Sequence, residues 1–180
     1  MEVFPTKIPD VFLLKPKVFE DDRGFFFESY HNKKLNNSLN KEIQFVQDNH
    51  SQSKKGVLRG LHYQIKQPQG KLVRVVIGEV FDVAVDLRKN SSYFGHWIGY
   101  YLSAENKQQL WIPAGFAHGF LVLSEYAEFL YKTTDYYVSE YERCICWDDP
   151  TLDIHWPLSE KPVVSVKDQA GQSFKEAELF

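Results

Sequence analysis

The sequence predicts an all-β fold, a sandwich or a closed barrel of short strands, and three observations carry that reading. Short apolar runs recur at close spacing, with Gly, Pro and Asn/Asp turn signals between them. The clearest β pattern runs from Leu72 to Leu87: Val73, Val75 and Ile77 alternate on one face, and Phe81, Val83, Val85 and Leu87 alternate again beyond Gly78-Glu79. Aromatic residues make up 16% of the 180 residues, which favours strands and aromatic-lined cavities. A chain of this length holds one full core, and no repeat or linker divides it. Residues 1–180 are therefore read as a single domain.

Along the chain, residues 4–19 carry Pro5, Pro9 and Pro16 between apolar pieces and are expected to form an extended arm or edge strand. Asp22-Arg23-Gly24 marks a turn. Phe25-Phe26-Phe27 continues as strand, with Phe26 and Glu28 on one face. The polar stretch 31–41 is given one short helix over Lys33–Leu39. Ile43–Asn49 is expected as strand and Ser51–Lys55 as loop. The stretch Gly56–Lys71, GVLRGLHYQIKQPQGK, is punctuated by glycine and proline and reads as non-helical, with Val57-Leu58 and Leu61–Tyr63 as half-buried strand. Leu72–Leu87 is expected as a hairpin. Further strands follow at Trp97–Leu102, Leu110–Ile112, Ala117–Leu123 and Glu128–Thr134. Glu140–Trp147 is strand or turn, and the tail from Asp148 is irregular with a short helix near its end.

Composition excludes several functions. The formal charge is −3 with no basic stripe, so nucleic acid is not an expected partner. No apolar run approaches membrane-spanning length, and MEVFPTKIPD has neither the basic nor the apolar part of a signal peptide, so a cytoplasmic protein is expected. Cys144 and Cys146 are the two cysteines. At a spacing of two on a strand a bridge would be strained, and no second pair completes a zinc site, so they read as reduced thiols. No G-x-S-x-G, P-loop or G-x-G-x-x-G occurs.

Two histidine patterns stand out, Gly56-x5-His62 and Pro113-x-Gly115-x2-His118. They resemble the two motifs of the cupin superfamily, jelly-roll barrels whose paired histidines often bind metal. Here Gln64 stands where a metal cupin carries its second histidine, and Ile65–Pro68 supply no carboxylate. A metal site needs about three protein ligands, so no catalytic metal and no cofactor are expected. Proton chemistry remains. His62 is the natural base, since its ordinary pKa lies near working pH. A carboxylate should orient it, and composition leaves that carboxylate open. Lys71 is suited to an oxyanion and Arg59 to phosphate. Simple alternation puts Arg59 and His62 on opposite faces, and a bulge at Gly60 would bring both to one.

A longer set of motifs then points to one family: D-x-RG-x-F-x-ES at Asp21–Ser29, QDN at Gln47–Asn49, GVLRGLHYQ at Gly56–Gln64, and QGKLVRV at Gln69–Val75. G-x-V-x-DVAVDLR at Gly78–Arg88, IPAGFAHGF at Ile112–Phe120, Tyr131-Lys132-x-Thr-x-x-Tyr137 and Lys167-Asp168 complete it. In this the chain resembles the dTDP-4-dehydrorhamnose 3,5-epimerases, metal-free enzymes of the rhamnose pathway with a cupin-type jelly-roll barrel and short peripheral helices. The resemblance implies His62 as base, Asp168 as its carboxylate, Tyr131 as acid on the opposite face of the sugar, and Lys71 at the enolate oxygen. It implies Arg23, Glu28, Gln47, Asn49, Arg59, His118, Glu142 and Lys167 as holders of the dTDP-sugar, with Phe19 and Phe26 flanking the base or sugar. It also implies a homodimer with exchanged N-terminal strands, a role that suits the arm at residues 1–18. Tyr136 and Tyr137 are rival phenols. Single-site epimerases on related 4-keto sugars and a non-catalytic sugar-binding cupin remain open alternatives.

Overall fold

Strands with alternating inward and outward side chains need a layer on each apolar face, and here they divide between two antiparallel sheets packed face to face. The computed structural model describes residues 1–180. One sheet has six strands in the order β1 (Glu2–Pro5), β2 (Phe12–Lys15), β10 (Gln109–Ile112), β7 (Lys71–Ile77), β12 (Tyr126–Thr133) and β5 (Gln47–Lys54). The other has five, in the order β13 (Glu142–Cys144), β6 (Leu58–Gln64), β11 (Phe116–Val122), β8 (Glu79–Asp86) and β9 (Trp97–Ser103). This is the jelly roll the cupin motifs implied. A separate ribbon pairs β3 (Val18–Asp21) with β4 (Gly24–Phe27). Helix α1 (Asn32–Leu39) and the single turn α2 (Val166–Gln169) are peripheral.

Three apolar clusters hold the layers together. Val73, Val75, Val80, Ala84, Leu110, Ile112, Phe120 and Phe129 fill one end of the space between the sheets. Leu58, Leu61, Phe81, Val83 and Val85 lie on the outer face of the five-stranded sheet, under Ile145, Leu152, Trp156 and Phe174 of the C-terminal segment. Leu35 and Leu39 of α1 cover Leu14, Leu72 and Trp111 on the six-stranded sheet. No helix is long and apolar enough to cross a membrane.

Two sequence expectations fail here, each for a physical reason. Leu72–Leu87 is not a hairpin: β7 and β8 belong to different sheets, and Gly78 turns the chain from one to the other. Gly78 has φ +76, and a Cβ there would collide with the Tyr126 carbonyl and the Ser124 hydroxyl. Alternation reports which face is buried, not which strand is the neighbour. At the corner Ile77 is left 39% exposed and does not share the burial of Val73 and Val75. Nor is Ser51–Lys55 a loop. Strand β5 runs through it, pairing with β12 from Gln47↔Thr133 to Lys54↔Tyr126, while Ile43–Phe45 precedes it as irregular chain. Its polar residues disguised it, because its inward side chains line a cavity rather than a core.

The arm takes the edge-strand form: β1 lies at the sheet edge and pairs with β2, which pairs in turn with β10. The projecting element is the β3–β4 ribbon beyond them.

Candidate active site

Between the two sheets, polar residues from both line a cavity of about 650 Å³. Strand register decides what faces it. Across the five-stranded sheet His62 lies opposite His118 on one side and Cys144 on the other. Directly opposed residues of an antiparallel pair share a face. Across the six-stranded sheet Asn49 pairs with Tyr131 and Tyr131 with Val73, and one step along, Gln47 pairs with Thr133 and Thr133 with Lys71. Tyr131 and Lys71 therefore look across the cavity at the two histidines.

The expected bulge at Gly60 is present. His62 pairs with His118 and Arg59 with Phe120, so three steps on β6 match two on β11. Gly60 takes φ +122 and lies against Gly119, where a Cβ would come within 2.6 Å of the Gly119 Cα. The extra residue turns Arg59 and His62 to the same cavity.

His62 Nε2 lies 2.5 Å from Asp168 Oδ1, across 106 residues of sequence. Asp168 is carried by α2, whose N-cap Ser165 accepts a hydrogen bond from the Asp168 amide at 3.1 Å. Burial pushes the Asp168 carboxyl up, but the hydrogen bond and charge of His62 outweigh it and hold the group below the usual carboxylate range. The pairing leaves His62 Nδ1 free. Lys71 is buried, with its ammonium 3.4 Å from the His62 carbonyl. Desolvation lowers its pKa to about 8, against the upward pull of Asp82 and Glu142. Tyr131 approaches from the opposite sheet, and desolvation holds its phenol protonated above the ordinary range.

A second histidine–carboxylate pair lies deeper. His118 Nε2 is 2.9 Å from Asp82 Oδ2, with side-chain exposures of 8% and 0%. Burial pushes His118 down and Asp82 up, and Asp82 Oδ1 has no partner. At the mouth, Glu142 bonds Lys167 and accepts from the Tyr137 hydroxyl at 2.5 Å. Burial raises the Glu142 pKa, and those two hydrogen bonds more than reverse it. Arg59 donates to Ser53 Oγ at 3.0 Å, and Gln47 to Asn49 Oδ1 at 2.9 Å. Gln64 cannot turn to a ligand: its amide donates to the carbonyls of Gln67 and Tyr136, and its oxygen accepts from the Val138 amide.

Ten of the fourteen residues named from sequence line this cavity: His62, Asp168, Tyr131, Lys71, Gln47, Asn49, Arg59, His118, Glu142 and Lys167. Four do not. Phe19, Arg23 and Phe26 stand on the β3–β4 ribbon, with Phe19 and Phe26 paired across it at 54% and 70% exposure. Arg23 bonds only Asp21, and Glu28 bonds Lys34. Of the rival phenols, Tyr137 reaches the cavity and Tyr136 does not. Asp82 was missed, although a signal existed: in VFDVAVDL the alternation that buries Phe81, Val83 and Val85 turns an aspartate to the other face of the same buried strand.

Comparisons with known proteins agree with this geometry. A protein-family profile described as dTDP-4-dehydrorhamnose 3,5-epimerase matches residues 5–176. The dTDP-4-dehydrorhamnose 3,5-epimerase of Pseudomonas aeruginosa is 64% identical over 180 residues, covering 100% of this chain and 99% of that one. The structure of dTDP-6-deoxy-D-glucose-3,5-epimerase from Legionella pneumophila, in complex with dTDP-4-keto-L-rhamnose, superposes with a TM-score of 0.96 at 52% identity, covering 98% of this chain and 94% of that one. ChmJ, a 3'-monoepimerase from Streptomyces bikiniensis in complex with dTDP-quinovose, superposes with a TM-score of 0.90 at 29% identity, over 95% and 87% of the two chains.

Proposed function

The chain belongs to the dTDP-4-dehydrorhamnose 3,5-epimerase family, and from that premise we propose that it inverts C3 and C5 of dTDP-4-dehydro-6-deoxy-D-glucose to give dTDP-4-dehydro-L-rhamnose. One observation supports the reading above the others: His62 and Tyr131 enter one cavity from opposing sheets, as an epimerisation requires of the group that takes a proton and the group that returns it.

The ketone at C4 acidifies the hydrogens on C3 and C5. His62 Nδ1 takes one of them, and Asp168 stabilises the imidazolium that forms. General-base help of this kind is worth roughly 10²–10⁴-fold. Lys71 bears on the enolate oxygen, a charge-assisted contact worth on the order of 10²–10³. Tyr131 gives its proton to the other face of the carbon. Arg59 and Lys167 take the pyrophosphate, and Gln47, Asn49, His118 and Glu142 hold the sugar. No step calls for a cofactor.

The ribbon suits a homodimer. Phe19 and Phe26 form an exposed aromatic pair beside Arg23, which is 89% exposed, and in a dimer they would complete the partner's cavity while Glu28 follows them. The same reading places the enzyme in the cytoplasm. A single inversion, at C3 alone, is the second reading, favoured by the likeness to the 3'-monoepimerase.

Proton NMR of the substrate in D₂O with the chelator-treated protein tests this. Deuterium entering at both C3 and C5 is the expected result. Entry at C3 alone would establish the second reading, and no entry at either carbon would refute both.

A further inference from the structure

Beside the His62–Asp168 pair, on the strand next to His62 and outside the cavity lining, sits the thiol of Cys144. Its Sγ is 3.8 Å from Asp168 Oδ1, and the three donor atoms His62 Nε2, Cys144 Sγ and Asp168 Oδ1 all lie within 4.8 Å of one another. They come from β6, β13 and α2, so no sequence spacing announces them. Cys144 opens to a shallow cleft of about 410 Å³ lined by Glu142, Arg143, Lys167, Gln172, Glu176 and Glu178, among others, which meets the substrate cavity at Glu142 and Lys167. We propose that His62, Cys144 and Asp168 form an inhibitory site for a thiophilic divalent cation of the zinc class, entered from this cleft, which switches off the base without occupying the sugar site.

One nitrogen, one sulfur and one carboxylate oxygen suit zinc, and thiolate selects it over magnesium and calcium. The fit requires modest movement. Zinc bonds of about 2.0 Å to N and O and about 2.3 Å to S set donors roughly 3.3–3.6 Å apart in a tetrahedron. The 2.5 Å pair must therefore open, and the sulfur must close in. Water supplies the fourth position. The thiol is otherwise inert, since burial and then the charge of Asp168 push its pKa to about 12. A cation reverses that logic, because the carboxylate that disfavours a bare thiolate favours a metal-bound one. Loading releases the Cys144 proton, and the Nε2 lone pair goes to the metal. The imidazole proton then resides on Nδ1, the atom that must accept the substrate proton, so the base is blocked by its tautomer. This consequence rests on the reading of His62 as base. The site itself does not.

The test uses chelator-treated protein and zinc alone for activity, with cobalt(II) as a spectroscopic substitute. Zinc is expected to bind at one equivalent per chain and to depress kcat with KM unchanged, reversibly on chelation. Cobalt is expected to give a sulfur-to-metal charge-transfer band in the near ultraviolet. Cys144→Ser should keep basal activity, lose the band and need roughly 10–100-fold more zinc for inhibition. Cys146→Ser should behave as the unsubstituted protein, because its thiol instead contacts the Gly171 carbonyl. Absence of the band, or zinc inhibition unchanged in Cys144→Ser, would overturn the site. The band with full catalytic activity retained would instead overturn the tautomer block, and so the reading of His62 as base.

Discussion

The molecule contains the same pair twice, on neighbouring strands but at different depths. His62–Asp168 and His118–Asp82 both join an Nε2 to a carboxylate, at 2.5 and 2.9 Å, and the two histidines lie directly opposite one another on β6 and β11. Their surroundings differ. The His62 side chain is 29% exposed to the cavity and its carboxylate is held below the usual range. His118 is 8% exposed, burial holds it neutral, and its carboxylate is pushed up with one oxygen unpaired. An imidazole beside an ionised carboxylate at a cavity wall can accept a proton at low cost. One in the dry interior resists protonation and stays a neutral hydrogen-bonding group. Burial, not residue type, separates the proposed base from the proposed binder.

The largest expected effect breaks the pairs apart directly. His62→Ala should lower kcat by on the order of 10²–10⁴. His118→Ala should act mainly on KM, by roughly tenfold, as for one lost hydrogen bond. Equal losses in kcat would erase the distinction. Steady-state kinetics on the two variants decides it.

Lys71 bears on the same contrast, since burial there lowers the pKa of the cation proposed to meet the enolate oxygen. Lys71→Met should lose on the order of 10²–10³ in kcat. It should also gain stability. The folded pKa of about 8 lies below the ordinary 10.5, so at neutral pH the folded state is penalised for holding this proton. The penalty shrinks as pH rises through that window. At about 1.4 kcal/mol per pKa unit, the variant should be more stable at pH 7 by on the order of 3 kcal/mol, with the gain fading toward pH 10. Denaturant melts at the two pH values would show it. The activity of the unsubstituted enzyme should fall above pH about 8 for the same reason.

The smallest effect concerns stability alone. Asp82→Ala strands a fully buried imidazole and should cost about 1–3 kcal/mol. Asp168→Ala leaves His62 at a wetted wall and should cost less. Melting temperatures that rank the other way would contradict the burial argument.

How much of this was legible in the sequence follows from the same physics. Alternation gave the strands of the apolar core, and the Gly-punctuated stretch gave a scaffolded His62 together with the bulge that brings Arg59 beside it. Partner assignment was not legible: alternation in β7 and β8 is the same for a hairpin as for two strands parted by a corner at Gly78. Strand β5 was read as part loop because cavity-facing Gln47, Asn49 and Ser51 erase the apolar signal. The approach of Asp168 to His62 across 106 residues is long-range and came only from family resemblance, as did Lys167 and Glu142. Phe19, Arg23, Phe26 and Glu28 lie outside this chain's own cavity, because the ribbon that carries them projects away from it.

The most direct measurement of the central claim is deuterium wash-in at C3 and C5, followed by NMR in His62→Ala and His118→Ala side by side at saturating substrate. Exchange at both carbons is expected to disappear in the first variant and to persist in the second. Exchange persisting without His62, or vanishing with His118 alone, would contradict that claim.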